Sequence, residues 1–359
     1  MSPDVPVRPA PLEAGGAYNR RSRVQAAGLL PAVGLFEDAA AHVELPRAPQ
    51  PIVIADYGAS AGHNSLLPIG AAITRLRKRA EPGRAICVLH TDVAENDYTT
   101  LFHTLATDAH SYLRDDPAVF PSAVGRSFYQ QILPSNTVTL GWSSWAVHWL
   151  SRVPASIPDH IQIAYSRDDA ARGAYTRQAA DDWIAFLTAR SRELVPGGQL
   201  VVLTMALDDG DFGYTPLLQG IVAELAGMAG EGAVSRDEVS RMALPTVARS
   251  EADLTAPFAP RGRFAGLTIE HFQTFVADDE IWRRFATDRQ ADDFAARWTA
   301  FARASVFPTL ATALDDGPQR VRQFFDRLES GLTTRLAAAP EPIKIPLAKM
   351  LLVKQSWPR

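Results

Sequence analysis

One stretch restricts the fold of this chain more than any other: Ile52-Val-Ile-Ala-Asp-Tyr-Gly-Ala-Ser-Ala-Gly-His-Asn64. An apolar run over 52–55 ends in an acid, Asp56, and small residues follow at Gly58, Ala59, Ser60, Ala61 and Gly62. A helix-compatible stretch begins near Asn64. This order predicts strand, tight turn and helix, the opening unit of a nucleotide-type α/β domain. Small residues at the turn let the backbone approach a ligand closely. The turn has neither the G-x-G-x-x-G spacing of a dinucleotide site nor the Gly-Lys-Ser/Thr of a P-loop. Its pattern is Asp-x-Gly-x-x-x-Gly, and alone it reads equally well as an ordinary glycine-rich βα turn.

Downstream, strands and helices alternate. A first helix is expected over 64–79, its last turn basic (Arg75, Arg77, Lys78, Arg79), which suits a helix C-terminus. A second strand covers 85–90 and runs into Thr91-Asp92. An acid at that point can accept hydrogen bonds from both hydroxyls of a ribose; the competing reading makes Asp92 the cap of a helix over 93–105. A strand over 137–142, a long amphipathic helix over 168–194 closed by Val195-Pro-Gly-Gly198, and a buried-type strand over 199–205 complete the alternation. The expected fold is α/β, a doubly wound Rossmann-like sheet.

After residue 205 the pattern changes. Residues 208–263 read as helical with glycine-rich breaks, 266–275 as a strand, 279–337 as helical again and 347–354 as a terminal strand. The expected organisation is therefore a core over 15–207, cap segments over 208–263 and 279–340, and core strands within 264–278 and 341–359. The two helical insertions would form a cap over the carboxyl edge of the sheet. Near the start, helix-favouring residues run over 20–41 and are broken by Pro31, with Tyr18, Ser22 and Gln25 on one face of such a helix. A solvated polar face is the plainer reading of those three. Trp142, Trp145 and Trp149 recur at spacings of three and four, one face if that stretch is helical. They suit either core packing or, with cap residues such as Phe258 and Phe272, the wall of a pocket for an apolar or aromatic ligand.

Composition excludes classes rather than naming one. The chain has 359 residues, 47% hydrophobic and 21% charged, an ordinary globular balance. A net charge of −4 and a single short basic cluster argue against a nucleic-acid partner. The one cysteine, Cys87, rules out an intramolecular disulfide and a multi-cysteine zinc site, and is expected to be buried filler. No metal site is expected. No apolar run reaches the length of a membrane span. The proline-rich residues 1–14 lack the apolar core of a secretory signal and are expected to be disordered, so a cytoplasmic location follows by default.

Six short motifs in order resemble the SABATH family of S-adenosylmethionine (SAM)-dependent carboxyl and N-methyltransferases, and the chain is identified as a bacterial-like member. They are Tyr18 with Ser22 and Gln25; Ile54-Ala-Asp-Tyr-Gly-Ala-Ser-Ala-Gly-His-Asn64; Thr91-Asp-Val-Ala-Glu-Asn-Asp-Tyr98; Ser127-Phe-Tyr-Gln-Gln-Ile-Leu-Pro134; Ser143-Ser-Trp-Ala-Val-His-Trp-Leu-Ser-Arg-Val-Pro154; and the Leu194 to Gly198 step. The resemblance implies a class I methyltransferase sheet with a helical cap. It implies a SAM site of Ser22, Asp56, Gly58, Ala59, Asn64, Asp92, Val93, Ser127, Phe128 and Ser143, with Asp92 on the ribose and Ser127 and Phe128 flanking the adenine. It implies that Gln25 and Trp149 hold the substrate carboxylate, with Tyr18, Trp145 and His148 around the substrate. Both carboxylate ligands are N–H donors, as an acid requires. Departures are Trp145 where plant members usually have tyrosine, Ala59 for cysteine and Glu95 for glycine, and the cap aligns poorly. Plant members are often homodimers, so a homodimer is the expected assembly, although the sequence itself does not show one.

The reaction implied is methyl transfer from SAM to a small carboxylic acid, leaving S-adenosylhomocysteine (SAH) and a methyl ester. An acid with a pKa near ~4.3 is already ionised at pH 7, so no general base is needed. Catalysis reduces to alignment, with nucleophile and methyl carbon near ~3 Å, and to exclusion of water. The alternatives are a nitrogen, phenol or carbon acceptor on the same fold, a non-catalytic SAM- or ligand-binding protein, and an NAD(P) oxidoreductase. The absent G-x-G-x-x-G argues against the last.

Overall fold

The computed structural model describes residues 23–356 apart from 316, with side chains from residue 28 onward. Seven strands form one sheet: β1 (Ile52–Tyr57), β2 (Ile86–Asp92), β3 (Val119–Gly125), β4 (Val138–Ser144), β5 (Leu194–Met205), β6 (Leu267–Val276) and β7 (Pro346–Lys354). Their order is β3-β2-β1-β4-β5-β7-β6. The first five run parallel, and β7 lies antiparallel between β5 and β6. The order reverses between β1 and β4, which both begin beside the centre of the sheet, so their carboxyl ends flank the crevice where ligands bind in such sheets.

Both faces of the central strands are buried, and period-2 alternation divides their side chains between two cores. Ile54, Leu140, Trp142, Val201 and Leu203 point to one face, where they meet helices α1 (Arg23–His42) and α2 (His63–Arg77). Ala55, Tyr57, Leu200 and Val202 point to the other and meet Trp183, Phe186 and Leu187 of the long helix α4 (Asp169–Glu193). Helix α3 (Tyr98–Thr107) joins β2 to β3. The basic turn at the end of α2 is neutralised locally: Arg75 donates to Glu37 at 2.7 Å, Arg77 to Asp116 at 2.5 Å and Arg79 to the Ala40 and Val43 carbonyls.

The cap follows β5. Helices α5 (Thr215–Gly230), α6 (Arg236–Arg241) and α7 (Glu251–Thr255) lie between β5 and β6. Helices α8 (Glu280–Asp288), α9 (Ala291–Ser305), α10 (Phe307–Ala311) and α11 (Pro318–Ala338) lie between β6 and β7. Leu217, Trp298, Phe307, Leu328 and Leu332 weld these helices into the same core as α1. No helix among the described residues is long and apolar enough to cross a membrane.

Local sequence signals were overridden at five places. Residues 145–150 form no helix: β4 runs to Ser144, and Trp145 then turns in the left-handed region with φ 53°. Helix α1 continues through Pro31, because Leu29, Val33 and Phe36 bury a face that one lost hydrogen bond does not outweigh. The Pro196-Gly-Gly198 step lies inside β5, not after the helix, with Gly197 at φ 78° taking up a register slip against β4. Asp92 caps no helix; α3 begins at Tyr98 and is capped by Asp97, whose side chain accepts from Thr100 N–H at 2.9 Å. Cys87 on β2 is only partly buried, as is Leu89 on the same face of the strand.

Candidate active site

The loop after β1 is built by its glycines. Gly58 has φ 91° and Gly62 φ 83°. A Cβ on Gly58 would lie 2.4 Å from the Cβ of Ala146, so no larger residue fits where the β1 and β4 loops touch. Both Gly58 and Ala59 N–H donate to the Thr91 carbonyl, at 2.9 and 3.0 Å. Asn96 Nδ2 donates to Ser60 O at 2.9 Å. Asp92 closes the loop: Oδ2 accepts from Ser60 N–H at 2.7 Å and Oδ1 from Val93 N–H at 2.8 Å. Each oxygen keeps a free lone-pair direction. Burial raises the Asp92 carboxyl to about 6, against the two N–H bonds that lower it. Asn64, on the first turn of α2, has a buried Oδ1 with no partner.

Asp56 lies under this loop, almost fully buried. Its Oδ2 accepts from Ser65 Oγ at 2.6 Å and faces His90 Nδ1 at 2.8 Å, while His90 Nε2 lies 2.7 Å from the Tyr112 hydroxyl. With Asp56 a carboxylate, Nδ1 carries the proton and Nε2 accepts from Tyr112. Burial pushes the Tyr112 phenol well up, which keeps it a donor. His90 and Tyr112 were not singled out in the sequence, where a histidine inside an apolar strand resembles filler.

The third side of the site is the 127–133 loop. Phe128 stands against Phe186 at 6.0 Å edge to face and within 3.8 Å of the Cβ position of Gly58. Ser127 Oγ accepts from Tyr129 N–H. A buried ion pair at the end of α4 holds the loop: Arg190 and Glu193 bond to each other at 2.9 Å, Arg190 donates to the Phe128 and Gln130 carbonyls, and Glu193 accepts from Ile132 and Leu133 N–H. Tyr57 OH also donates to Glu193, at 2.8 Å. Only an i,i+3 spacing hinted at this pair, and spacing does not reveal burial. Ser143 is fully buried and donates to Tyr57 O at 3.0 Å, tying β4 to β1.

Beyond the loop, a pocket opens between the carboxyl edge of the sheet and the cap. Trp145, His148 and Trp149 form one wall and Met205 the floor; Leu217 and Phe301 close it from the cap. A strip of the chain pins the first wall: Trp149 pairs with Thr246, Leu150 N–H donates to Pro245 O, and Val247 N–H to His148 O. The buried Arg249 donates to Val147 O at 2.6 Å and to Ala179 O, and the Tyr129 hydroxyl donates to Trp149 O. Burial, with the Arg249 cation second, lowers His148 to about 3, so its ring is neutral, and its Nδ1 has no partner. Arg249 lies in the poorly patterned cap and carried no signal in the sequence.

Three expected pocket residues are elsewhere. Trp142 does not line the pocket: it is fully buried in the core against α1, 4.9 Å from Phe36, because strand alternation and not helical spacing sets its direction. Phe258 and Phe272 belong to the core on the α4 face of the sheet. Tyr18 and Ser22 lie outside the described residues, as does the Gln25 side chain, although α1 carries Gln25 one turn before Gly28, where the helix meets Trp145.

The family profile described as SAM dependent carboxyl methyltransferase matches residues 13–353. A probable S-adenosylmethionine-dependent methyltransferase of Arabidopsis thaliana is 31% identical over 242 residues, 62% of this chain and 65% of that protein. Indole-3-acetate O-methyltransferase 1 of the same plant is 28% identical over 346 residues, 89% of this chain and 87% of its own length. Among solved structures, loganic acid methyltransferase with SAH superposes with a TM-score of 0.76 at 22% identity, covering 97% of this chain and 99% of the other, which establishes a shared fold.

Proposed function

We propose that this chain, which belongs to the family of SAM-dependent carboxyl methyltransferases, moves a methyl group from SAM to the carboxylate of a small acid with an apolar body. The observation that carries the reading is the position of the pocket. Its wall of Trp145, His148 and Trp149 follows β4 directly, one residue from the Ala146 that touches Gly58 of the first loop. A donor held by that loop and an acid in the pocket would meet there.

The residues suit SAM. Asp92 keeps two free acceptor directions for a ribose diol. Asn64 Oδ1 is a buried acceptor lacking a donor, as an ammonium would supply. Gly58, hemmed by Ala146 and Phe128, leaves bare backbone facing the site. In this reading Phe128 and Ser127 flank the adenine, Ser22 completes the shell, and Gly58, Ala59, Val93 and Ser143, whose N–H or O–H groups already bond within the protein, hold the surrounding loops in shape. Asp56 acts mainly by fixing the loop, since Oδ2 already serves Ser65 and His90.

SAM supplies an activated methyl group, and the acid is ionised at neutral pH, so the protein need only orient and desolvate. Gln25 and Trp149 donate N–H to one carboxylate oxygen and leave the other free to attack. Trp145, Leu217 and Phe301 exclude water. His148, neutral, cannot pair with the carboxylate as a cation and instead bounds the acid's body. Indole-3-acetate, named for one relative, has the kind of aromatic body this wall suits. The proposal extends to a cytoplasmic homodimer that acts without nucleic acid, with 15–207 as the SAM-binding core and the two inserts as cap.

Calorimetric titration with SAH, followed by a panel of aromatic and aliphatic acids with labelled SAM, tests this. SAH binding with a methyl ester as product is the expected result. SAH binding with no ester from any acid would reject the carboxyl acceptor, and no SAH binding would reject the site itself.

A further inference from the structure

Tyr214 precedes α5 and lines the pocket from the cap side. Its backbone is in the left-handed region, φ 61°, an uncommon place for an aromatic residue. The surroundings impose this. Tyr214 N–H donates to Lys344 O at 3.1 Å, Gly213 N–H to Asp211 Oδ1 at 2.9 Å, and the Tyr165 hydroxyl to Gly213 O at 2.6 Å. The ring is equally fixed. It stacks on Phe301 at 6.0 Å with 11° between planes, and meets Trp298 edge to face at 6.3 Å.

Its hydroxyl, by contrast, is buried and has no hydrogen-bond partner. A buried tyrosine O–H ordinarily finds one. Phenylalanine would make the same ring contacts without leaving a polar atom stranded. Burial, with the nearby Asp279 carboxylate second, keeps the phenol protonated, so it can donate. None of the residues lining this pocket is an acid, a lysine or an arginine, and the imidazole beside it is neutral. An anionic second group on the ligand would therefore find no counter-charge in the lining and would face the Asp279 carboxylate that acts on the phenol, whereas an uncharged oxygen would find a fixed donor.

We infer that Tyr214 Oη binds a second, uncharged oxygen of the acid, remote from its carboxylate. The substrate class is thereby narrowed to hydroxy- or oxo-acids on an apolar skeleton. This rests on the carboxyl-transfer reading above and goes beyond it.

The test uses the full-length protein with matched pairs of acids: phenylacetate and 4-hydroxyphenylacetate, octanoate and its hydroxy and oxo derivatives. Ester formation is measured for wild type and Tyr214→Phe. Wild type should prefer at least one oxygenated acid over its plain partner by about tenfold or more in kcat/KM, as a site built to hydrogen-bond a substrate oxygen does. Tyr214→Phe should erase that preference and leave the plain acid within about twofold. Equal activity on both members of every pair in wild type would overturn the inference. So would a variant that lowers both members alike, since that is a packing effect. If no acid is esterified at all, the carboxyl reading fails separately. Calorimetric binding of the same pairs to the SAH complex then decides: equal affinities overturn the role of Tyr214, and a preference lost in Tyr214→Phe supports it.

Discussion

Nδ1 of His90 lies 2.8 Å from Oδ2 of Asp56, and both side chains are buried beneath the loop that carries Gly58. The pair continues to Tyr112 on one side and Ser65 on the other. His90→Phe would leave the Tyr112 hydroxyl without its acceptor and Asp56 without one donor. Stranding a buried polar group costs about 1–3 kcal/mol. The urea midpoint should fall accordingly, and SAH affinity with it, because Asp56 and Gly58 are two residues apart. An unchanged midpoint would remove the network from this account.

Gly58→Ala should be worse for the site than for the fold. The substitution needs φ 91° and puts a Cβ 2.4 Å from that of Ala146. We expect SAH affinity to drop by about tenfold or more, a loss of at least ~1.4 kcal/mol. Adding Ala146→Gly removes the clash but not the backbone strain, so calorimetry should show partial recovery. Full recovery would mean that the positive φ is unimportant.

Asp92 makes SAH binding pH-dependent. With its carboxyl raised to about 6, protons compete with the ribose hydroxyls below that pH. Affinity should be flat above about pH 7 and weaken toward tenfold per unit below about pH 6, while Asp92→Asn binds weakly with no such slope. The stability of the free protein should follow the opposite trend. A raised folded-state value is stabilising below the ordinary 3.8, and that contribution is lost as pH rises through about 6. Isothermal titration with SAH from about pH 5 to about pH 8 checks the first trend, and urea midpoints of the free protein over the same range check the second.

Trp149→Phe should retain SAH affinity and lose turnover, by about 100-fold if the indole N–H holds the carboxylate only through the transfer. Parallel losses of SAH binding and of turnover would show that Trp149 shapes the whole site and does not serve the acid alone.

Trp142→Phe checks the reassignment of that residue to the core. Its indole N–H is buried without a partner and its ring packs on Phe36. The substitution loses packing but removes a stranded donor, so the net change should be within about 1–2 kcal/mol. KM for every acid should stay as in wild type. A changed acid preference would return Trp142 to the pocket.

The first loop, the acid at the end of β2 and the strands around them were legible in the sequence because local rules set them, whereas Phe128 entered only through the family resemblance. A buried parallel strand reads as an apolar run, and a turn of small residues reads as close backbone approach. The tryptophan cluster misled because spacings of three and four were read as one helical face. Within β4 the period is two, which sets Trp142 in the core, and the chain then leaves the strand by a left-handed turn at Trp145 instead of continuing as a helix. Arg249 and Tyr214 carry no local signature, and Arg190 and Glu193 only an i,i+3 spacing. Apart from the Arg190–Glu193 bond itself, their partners lie elsewhere in the chain, as far as 136 residues away for Glu193 and Tyr57.

The sequence by itself therefore determined the sheet, the glycine loop and the acid after β2, features that depend on a residue and its near neighbours. Only the tertiary structure decided which aromatic side chains face the pocket, which charges are buried to hold the loops, and which hydroxyl is left without a partner. Those depend on what the rest of the chain brings alongside. Burial makes each polar group's partner, or lack of one, energetically decisive, and no local pattern records it.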